Sequence, residues 1–192
     1  MKGLPILAIT AGDPAGSGPE ITAKAFAHSE IYQICRPLVI GDVAVMEQAL
    51  GFTGLENQIR VRSVKSVEEA GFEPGIMDVY DMHLIEDPKA MGIGTVNAVA
   101  GEAAFQYVVK AIDLAMKNKV DGTITNAISK EAINMAGHHY SGHTEIYADY
   151  TKTKKYCMML AHEDFGNSSK DSVYLLISCS SFAACLSSCF IL

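Results

Sequence analysis

Three short segments concentrate the side chains that could do chemistry. The first covers residues 10–20 and reads T-A-G-D-P-A-G-S-G-P-E. Its glycines, Gly12, Gly16 and Gly18, permit positive φ and let a ligand come close to the backbone. It joins an apolar run to a helical pattern, the position at which α/β sheets bind ligands. No Gly-Lys-Ser/Thr follows, so it is not a Walker loop, and it lacks a clean G-x-G-x-x-G register. Asp13 reads as a turn residue or as a polar contact. A tight strand-to-helix turn with no ligand accounts for these residues equally well.

The second segment, residues 125–132, reads T-N-A-I-S-K-E-A. Small polar residues and one lysine open a helical pattern. Lys130 can offer a point charge to a phosphate or carboxylate, assisted by the helix N-terminus; a solvated lysine is the plainer reading. The third, residues 137–145, reads G-H-H-Y-S-G-H-T-E and holds three histidines and a glutamate. The spacing is not H-E-x-x-H, and adjacent His138 and His139 point apart in an extended segment, so a local zinc site does not fit. His143 and Thr144, after Gly142 and just before a helical pattern at 145–150, suit groups held towards an anion at a helix N-terminus. Thr144 could instead be a cap.

The elements that must position these segments follow from periodicity. Apolar runs at residues 4–10, 37–41 and 155–161, bounded by breakers, predict strands, as do 76–81, 122–125 and the alternating stretch 59–64. Helices are predicted over 20–27, with Pro19 in the first turn, and over 43–50, stopped by Gly51. The longest helix is predicted over 95–119. Val99, Ala103, Val108, Ile112 and Ala115 form its apolar face, and Lys117 and Lys119 its last turn. A helix over 129–136 closes at Gly137. Strands alternating with helices predict an α/β fold with a largely parallel sheet.

Composition narrows the partners. The 192 residues are 49% hydrophobic and 19% charged, as in a globular protein. A net charge of -7 disfavours nucleic acid as the main partner but leaves room for a small anion held by backbone N–H groups. The N-terminus offers no export signal. The five cysteines contain no C-x-x-C pair. Free thiols in a reducing cytoplasm are expected.

Taken together, the strings ITAGDPAGSGPEI, TNAISKEAINMAGHHYSGHTE and YCMML, in this order, resemble the PdxA family of 4-hydroxythreonine-4-phosphate dehydrogenases. The resemblance runs from about residue 5 to about residue 165. It implies an isocitrate/isopropylmalate-dehydrogenase-like α/β/α fold, a homodimer, and NAD as oxidant of a secondary alcohol, followed by loss of CO₂. It also implies a divalent metal (Zn, Mg, Mn or Co) that polarises the developing carbonyl. Position by position, His143 and Thr144 match the family's substrate-phosphate contacts. Lys130 and the loop carrying Gly12, Asp13, Gly16 and Gly18 match segments lining the cleft; the catalytic residues are left unassigned. The G-D-P-A-G and T-N-A-I-S-K variants look closer to the branch acting on 4-phospho-D-threonate and 4-phospho-D-erythronate than to the vitamin B6 branch.

The chain departs from the family after about Phe165. Family members exceed 300 residues, and their three metal-binding histidines lie beyond the YCMML strand, in T-H-x-x-L, N-P-H-A-G and Y-H-D-Q-G motifs. None of these occurs here, and the last histidine, His162, falls in no such motif. The last sixteen residues hold five serines and three cysteines, and no charge follows Asp171. The expectation is therefore an N-terminal part of a PdxA-like dehydrogenase over 1–165 and an anomalous tail over 166–192, from a shifted reading frame or a misplaced gene end. Residues 173–192 are uncharged and long enough for a membrane anchor, but their serines weaken that alternative. On this reading the chain carries no metal ligands of its own and produces no NADH from 4-phospho-D-threonate with added Zn²⁺ or Mg²⁺. Two alternatives stand beside it: a non-catalytic phosphate-ligand-binding domain that pairs with a full-length paralogue, and another enzyme on the same superfold, such as a phosphate acyltransferase.

Overall fold

The computed structural model describes residues 3–161, 174–179 and 189–191. The strands are β1 (Ile6–Thr10), β2 (Arg36–Gly41), β3 (Arg60–Val64), β4 (Ile76–Asp81), β5 (Gly122–Ile124), β6 (Tyr156–Ala161), β7 (Tyr174–Cys179) and β8 (Cys189–Ile191). Among the described residues they form one sheet in the order β3-β4-β2-β1-β5-β8-β7-β6. Every pairing from β3 across to β8 is parallel, whereas β7 runs antiparallel to both neighbours. The largely parallel α/β sheet read from the sequence is the one observed. Leu38, Val39 and Ile40 of β2 are fully buried, as expected for a central parallel strand covered on both faces.

The helices are α1 (Gly18–Phe26), α2 (Ile31–Ile34), α3 (Val43–Thr53), α4 (Ala98–Met116), α5 (Lys130–Met135) and α6 (His143–Tyr150). Helix α4 joins two apolar clusters. Ala103, Tyr107, Ala111, Leu114 and Ala115 enter the main core with β1, β2 and α3, while Phe105, Val108 and Ile112 pack with Ile133 of α5 and Ile146 and Tyr147 of α6. A helix buried on two sides needs small residues where backbones meet. Gly101 is such a point: a Cβ there would lie 2.7 Å from the Ile133 backbone nitrogen and closer still to the Ala132 carbonyl.

Several boundaries differ from the sequence reading. Gly51 does not stop α3, which runs on to Thr53 and ends at Gly54, whose φ of 68° supplies the left-handed C-cap. Helix α4 starts later than expected, because the Asn97 side chain accepts the Ala100 N–H as its N-cap, and it ends at Met116. Val99 therefore sits in the first turn, 61% exposed, and is not part of the apolar face. Lys117 and Lys119 lie past the helix and form ion pairs with Asp113 and Glu68. The short α2 was not anticipated.

Cys35 is a buried free thiol that donates to the Ile31 carbonyl; the other cysteine side chains fall outside the described residues. Most of residues 166–192, expected to be an anomalous tail, and most of the stretch weighed as an anchor also lie outside the described residues. No helix among the described residues is long and apolar enough to cross a membrane.

Candidate functional site

The site assembles where β1 and β5 end side by side. Their register is fixed at the other end by Asp121, whose carboxylate accepts the Ile6 N–H at 2.8 Å. Residue 126 therefore emerges next to the loop after Thr10. The Asn126 amide nitrogen donates to the Thr10 carbonyl (2.8 Å) and to Thr22 Oγ1 (2.6 Å), and the Asn126 N–H donates to Thr10 Oγ1 (3.1 Å). The Asp13 N–H donates to the Ala127 carbonyl at 2.9 Å. Two loops far apart in sequence are thereby laced into one platform.

Two of the loop's glycines exist for this lacing. Gly12 takes φ +80°, and a Cβ on it would meet the Ala127 carbonyl oxygen at 2.7 Å. A Cβ on Gly18 would collide with the Ala11 carbonyl and press on the Asn126 side chain. Gly16 has no positive φ and only ordinary neighbours. The close approach expected for a ligand is, at Gly12 and Gly18, an approach of the chain's own backbone. Asp13 is buried and accepts the Ala15 N–H at 2.9 Å. Burial pushes its carboxyl up, and the Ala15 and Ser129 backbone groups pull it back down. Both readings of Asp13 are thus partly met, since it staples its own turn and touches the start of α5.

Helix α5 begins at Lys130, with Ser129 as N-cap accepting the Ala132 N–H. Lys130 is exposed, and its positive charge is felt by Glu145 in the first turn of α6. The N-termini of α5 and α6 are therefore neighbours. Helix α6 opens two residues earlier than its sequence pattern suggested, so His143 and Thr144 are its first two residues. Gly142 stands at the N-cap, and no side chain caps the helix. Thr144 is thus not the cap, and the first-turn N–H groups are left for something else. Glu145 turns back to accept the Ser141 N–H at 2.8 Å.

His143 is the most perturbed group here. Burial holds its ring well below the usual histidine range, down to about 4, against an opposing pull from the Asn126 backbone. A backbone group that favours the protonated ring must be an acceptor, so the ring is turned onto the Asn126 carbonyl. The other ring nitrogen, Nε2, is buried without a partner, and so is Thr125 Oγ1 at the end of β5. The described residues do not supply a metal shell, because no group of three His, Cys, Asp or Glu side chains stands close enough to hold an ion. His138 pairs with Glu102 at 2.6 Å and stacks on Phe105, while His139 is exposed.

Sequence reading brought together His143, Thr144, Lys130 and the glycine-rich loop. It placed Thr125 and Asn126 in the second segment without giving either a role, and it missed Asp42. Asp42 is the N-cap residue of α3, yet its carboxylate leaves that helix. It accepts the Leu84 N–H (2.8 Å), the Ile85 N–H (3.2 Å) and the Tyr107 hydroxyl. Burial raises its pKa and those donors oppose the rise. The loop so anchored returns over the glycine-rich turn, where the Gly94 N–H donates to the Ala15 carbonyl at 2.7 Å.

The geometry can be set beside known proteins. The chain is 41% identical over 157 residues to a D-threonate 4-phosphate dehydrogenase of Cupriavidus necator, an alignment covering 82% of this chain and 46% of that protein. Its fold is similar to the crystal structure of a 4-hydroxythreonine-4-phosphate dehydrogenase from Burkholderia phymatum. That match has a TM-score of 0.79 and 40% identity, over 84% of this chain and 48% of the other. The corresponding enzyme of Klebsiella pneumoniae matches with a TM-score of 0.76 and 35% identity, over 83% and 47%. The chain thus spans about half the length of the relatives it matches. A family profile described as "Pyridoxal phosphate biosynthetic protein PdxA" matches residues 33–169, which include β2, Asn126 and α6 but not the glycine-rich loop. Motifs, fold and profile agree, and the chain belongs to the PdxA family.

Proposed function

We propose that this chain supplies the substrate-phosphate grip of a dehydrogenase that oxidises a phosphorylated four-carbon hydroxy acid, of the D-threonate 4-phosphate type, with NAD and a divalent metal. The observation that carries this reading is the junction of α5 and α6. An uncapped helix N-terminus, the exposed Lys130 ammonium and the unpartnered His143 Nε2 meet beside a platform of tightly tied loops. Helix N-terminal N–H groups and a lysine are the ordinary means of holding a phosphate in an acidic protein. Thr144, second in that helix, adds a hydroxyl. The loop at Gly12, Asp13, Gly16 and Gly18 forms the floor, kept in shape by Asn126. The names of the relatives supply the substrate class.

The described residues do not fit a metal. NAD contacts, the homodimer and the cytoplasmic setting belong to the same proposal through the family. So does the division into a dehydrogenase segment over 1–165 and a different tail. The chain's own residues bind and orient the phosphate end. The test is calorimetric binding of D-threonate 4-phosphate, with unphosphorylated D-threonate as control. Phosphate-dependent binding that weakens at least tenfold in Lys130→Ala is expected. Equal affinity for both acids would overturn the reading. Binding of the phosphorylated acid with no binding of NAD or metal would favour the non-catalytic partner domain instead.

A further inference from the structure

Seven polar side chains are buried among the described residues: Thr10, Asp13, Thr22, Asp42, Asp78, Thr123 and Thr125. Six of them have partners. Thr10 and Thr22 are bonded to Asn126, Asp13 to Ala15, Asp42 to Leu84, Ile85 and Tyr107, Asp78 to Arg62 and Phe72, and Thr123 to the Tyr147 hydroxyl. Thr125 is the exception: 9% exposed, with no partner for its hydroxyl. The fold satisfies Thr123, two positions earlier in β5, and leaves Thr125, just past the strand's end, without a bond. Buried hydroxyls without a bond are rare, because each forfeits its hydration for nothing in return.

The second such atom belongs to a side chain that reaches the residue next to Thr125. His143 Nε2 is also buried and unpartnered, and its ring rests on the backbone of Asn126, the residue immediately after Thr125. A neutral imidazole that donates from one nitrogen to a carbonyl presents a lone pair at the other. The two open atoms are therefore an acceptor and a hydroxyl that can either donate or accept. One O–H group placed between them would satisfy both, giving its proton to Nε2 and taking one from Thr125.

We propose that Thr125 is a further ligand-contacting residue of this site, and that its hydroxyl and His143 Nε2 together hold an O–H group of the bound phosphorylated acid. The proposal rests on the phosphate-binding reading above. The O–H comes either from the acid's carbon chain or from a singly protonated phosphate, and Thr125 makes the same contact to both.

Thr125→Val keeps the shape and removes the hydroxyl; Thr125→Ser keeps the hydroxyl. Melting temperature is read first without ligand, then with D-threonate 4-phosphate or inorganic phosphate, and dissociation constants are measured on the full 192-residue chain. The valine variant is expected to melt at or above the wild-type temperature without ligand and to bind D-threonate 4-phosphate about tenfold more weakly, one neutral hydrogen bond's worth. Serine should restore binding to within a few-fold. A loss confined to the threonate ester assigns the O–H to the carbon chain; an equal loss with inorganic phosphate assigns it to the phosphate. A valine variant that melts lower without ligand, or that binds as tightly as wild type, overturns the proposal. If the wild-type chain itself binds neither probe, the phosphate-binding reading fails and this proposal falls with it, a result distinct from a Thr125 effect that is merely absent.

Discussion

Replacing Gly101 by alanine tests the packing argument at its most exacting point. Glycine in a helix interior costs about 1 kcal/mol relative to alanine, so propensity alone favours the substitution. The contact opposes it. The new methyl would lie 2.7 Å from the Ile133 nitrogen and nearer to the Ala132 carbonyl, where only rigid backbone is available to move. Helix α5 would have to retreat, loosening Ile133 from Phe105 and Val108. Overpacking of this kind costs roughly 1–3 kcal/mol and more where backbone must shift, so a net loss of about 2–3 kcal/mol is expected. For a chain of this size that corresponds to a fall of roughly 4–10 °C in Tm. Gly51 is the matched control: it is exposed within α3, and a Cβ there meets nothing within 4 Å. Gly51→Ala should raise stability by about 0.5–1 kcal/mol. Thermal melts followed by far-UV circular dichroism decide the matter. Two shifts of the same sign would refute the argument, because propensity would then outweigh the crossing of α4 and α5. Because α5 carries Lys130, Gly101→Ala should also weaken phosphate-ester binding, while Gly51→Ala leaves it unchanged.

Other outcomes follow from particular residues. Tyr107→Phe removes one of the three donors to buried Asp42 and should cost about 1–3 kcal/mol, measured by urea unfolding, with rapid amide exchange appearing at Leu84 and Ile85. Arg62→Ala leaves the Asp78 carboxylate buried with only the Phe72 N–H, and a loss of about 2–4 kcal/mol is expected. His143 sits at about 4 when folded and near 6.5 when unfolded, so the unfolded chain takes the proton first as pH falls. Its contribution is therefore present above pH 6.5 and is lost towards pH 4, by about 2–3 kcal/mol; the stability profile of His143→Asn should be correspondingly flatter across that window. Cys35, whose thiol burial pushes up, should react with a thiol reagent only as fast as the native chain opens.

How far the sequence could be read depended on whether a signal was local. Strands β1 and β2 announce themselves as apolar runs between breakers, and the parallel sheet follows from the alternation of strands with helices. Gly51 misled because a glycine weakens a helix without ending it. The stop came three residues later, where Gly54 could take the left-handed turn. Val99 misled because a residue in the first turn of α4 has the right period but no partner layer yet. In the site, the G-H-T-E run marked the start of α6 directly. Asn126 carried no such mark, since its meaning comes from Thr10 and Thr22, more than a hundred positions away, and Thr125 stood out only once its burial without a partner was seen. Asp42 looked like an ordinary helix cap, and only the tertiary fold reveals that its carboxylate serves the Leu84–Ile85 turn and Tyr107 instead.

The position of β1 also bears on how the chain is made. It leaves the ribosome ahead of both its neighbours, and it lies inside the sheet, between β2 and β5. One edge can pair as soon as β2 emerges, at Arg36–Gly41, but the other waits for Gly122, some eighty residues later. At about 5–20 residues per second, that edge stays open for roughly 4–16 s. During the interval a short parallel strand, apolar but for Thr10, presents unpaired backbone to any neighbouring chain. Helix α4, which packs on both β1 and β2, is synthesised within that window. It can bury the face of the half-built sheet before β5 arrives to close the edge.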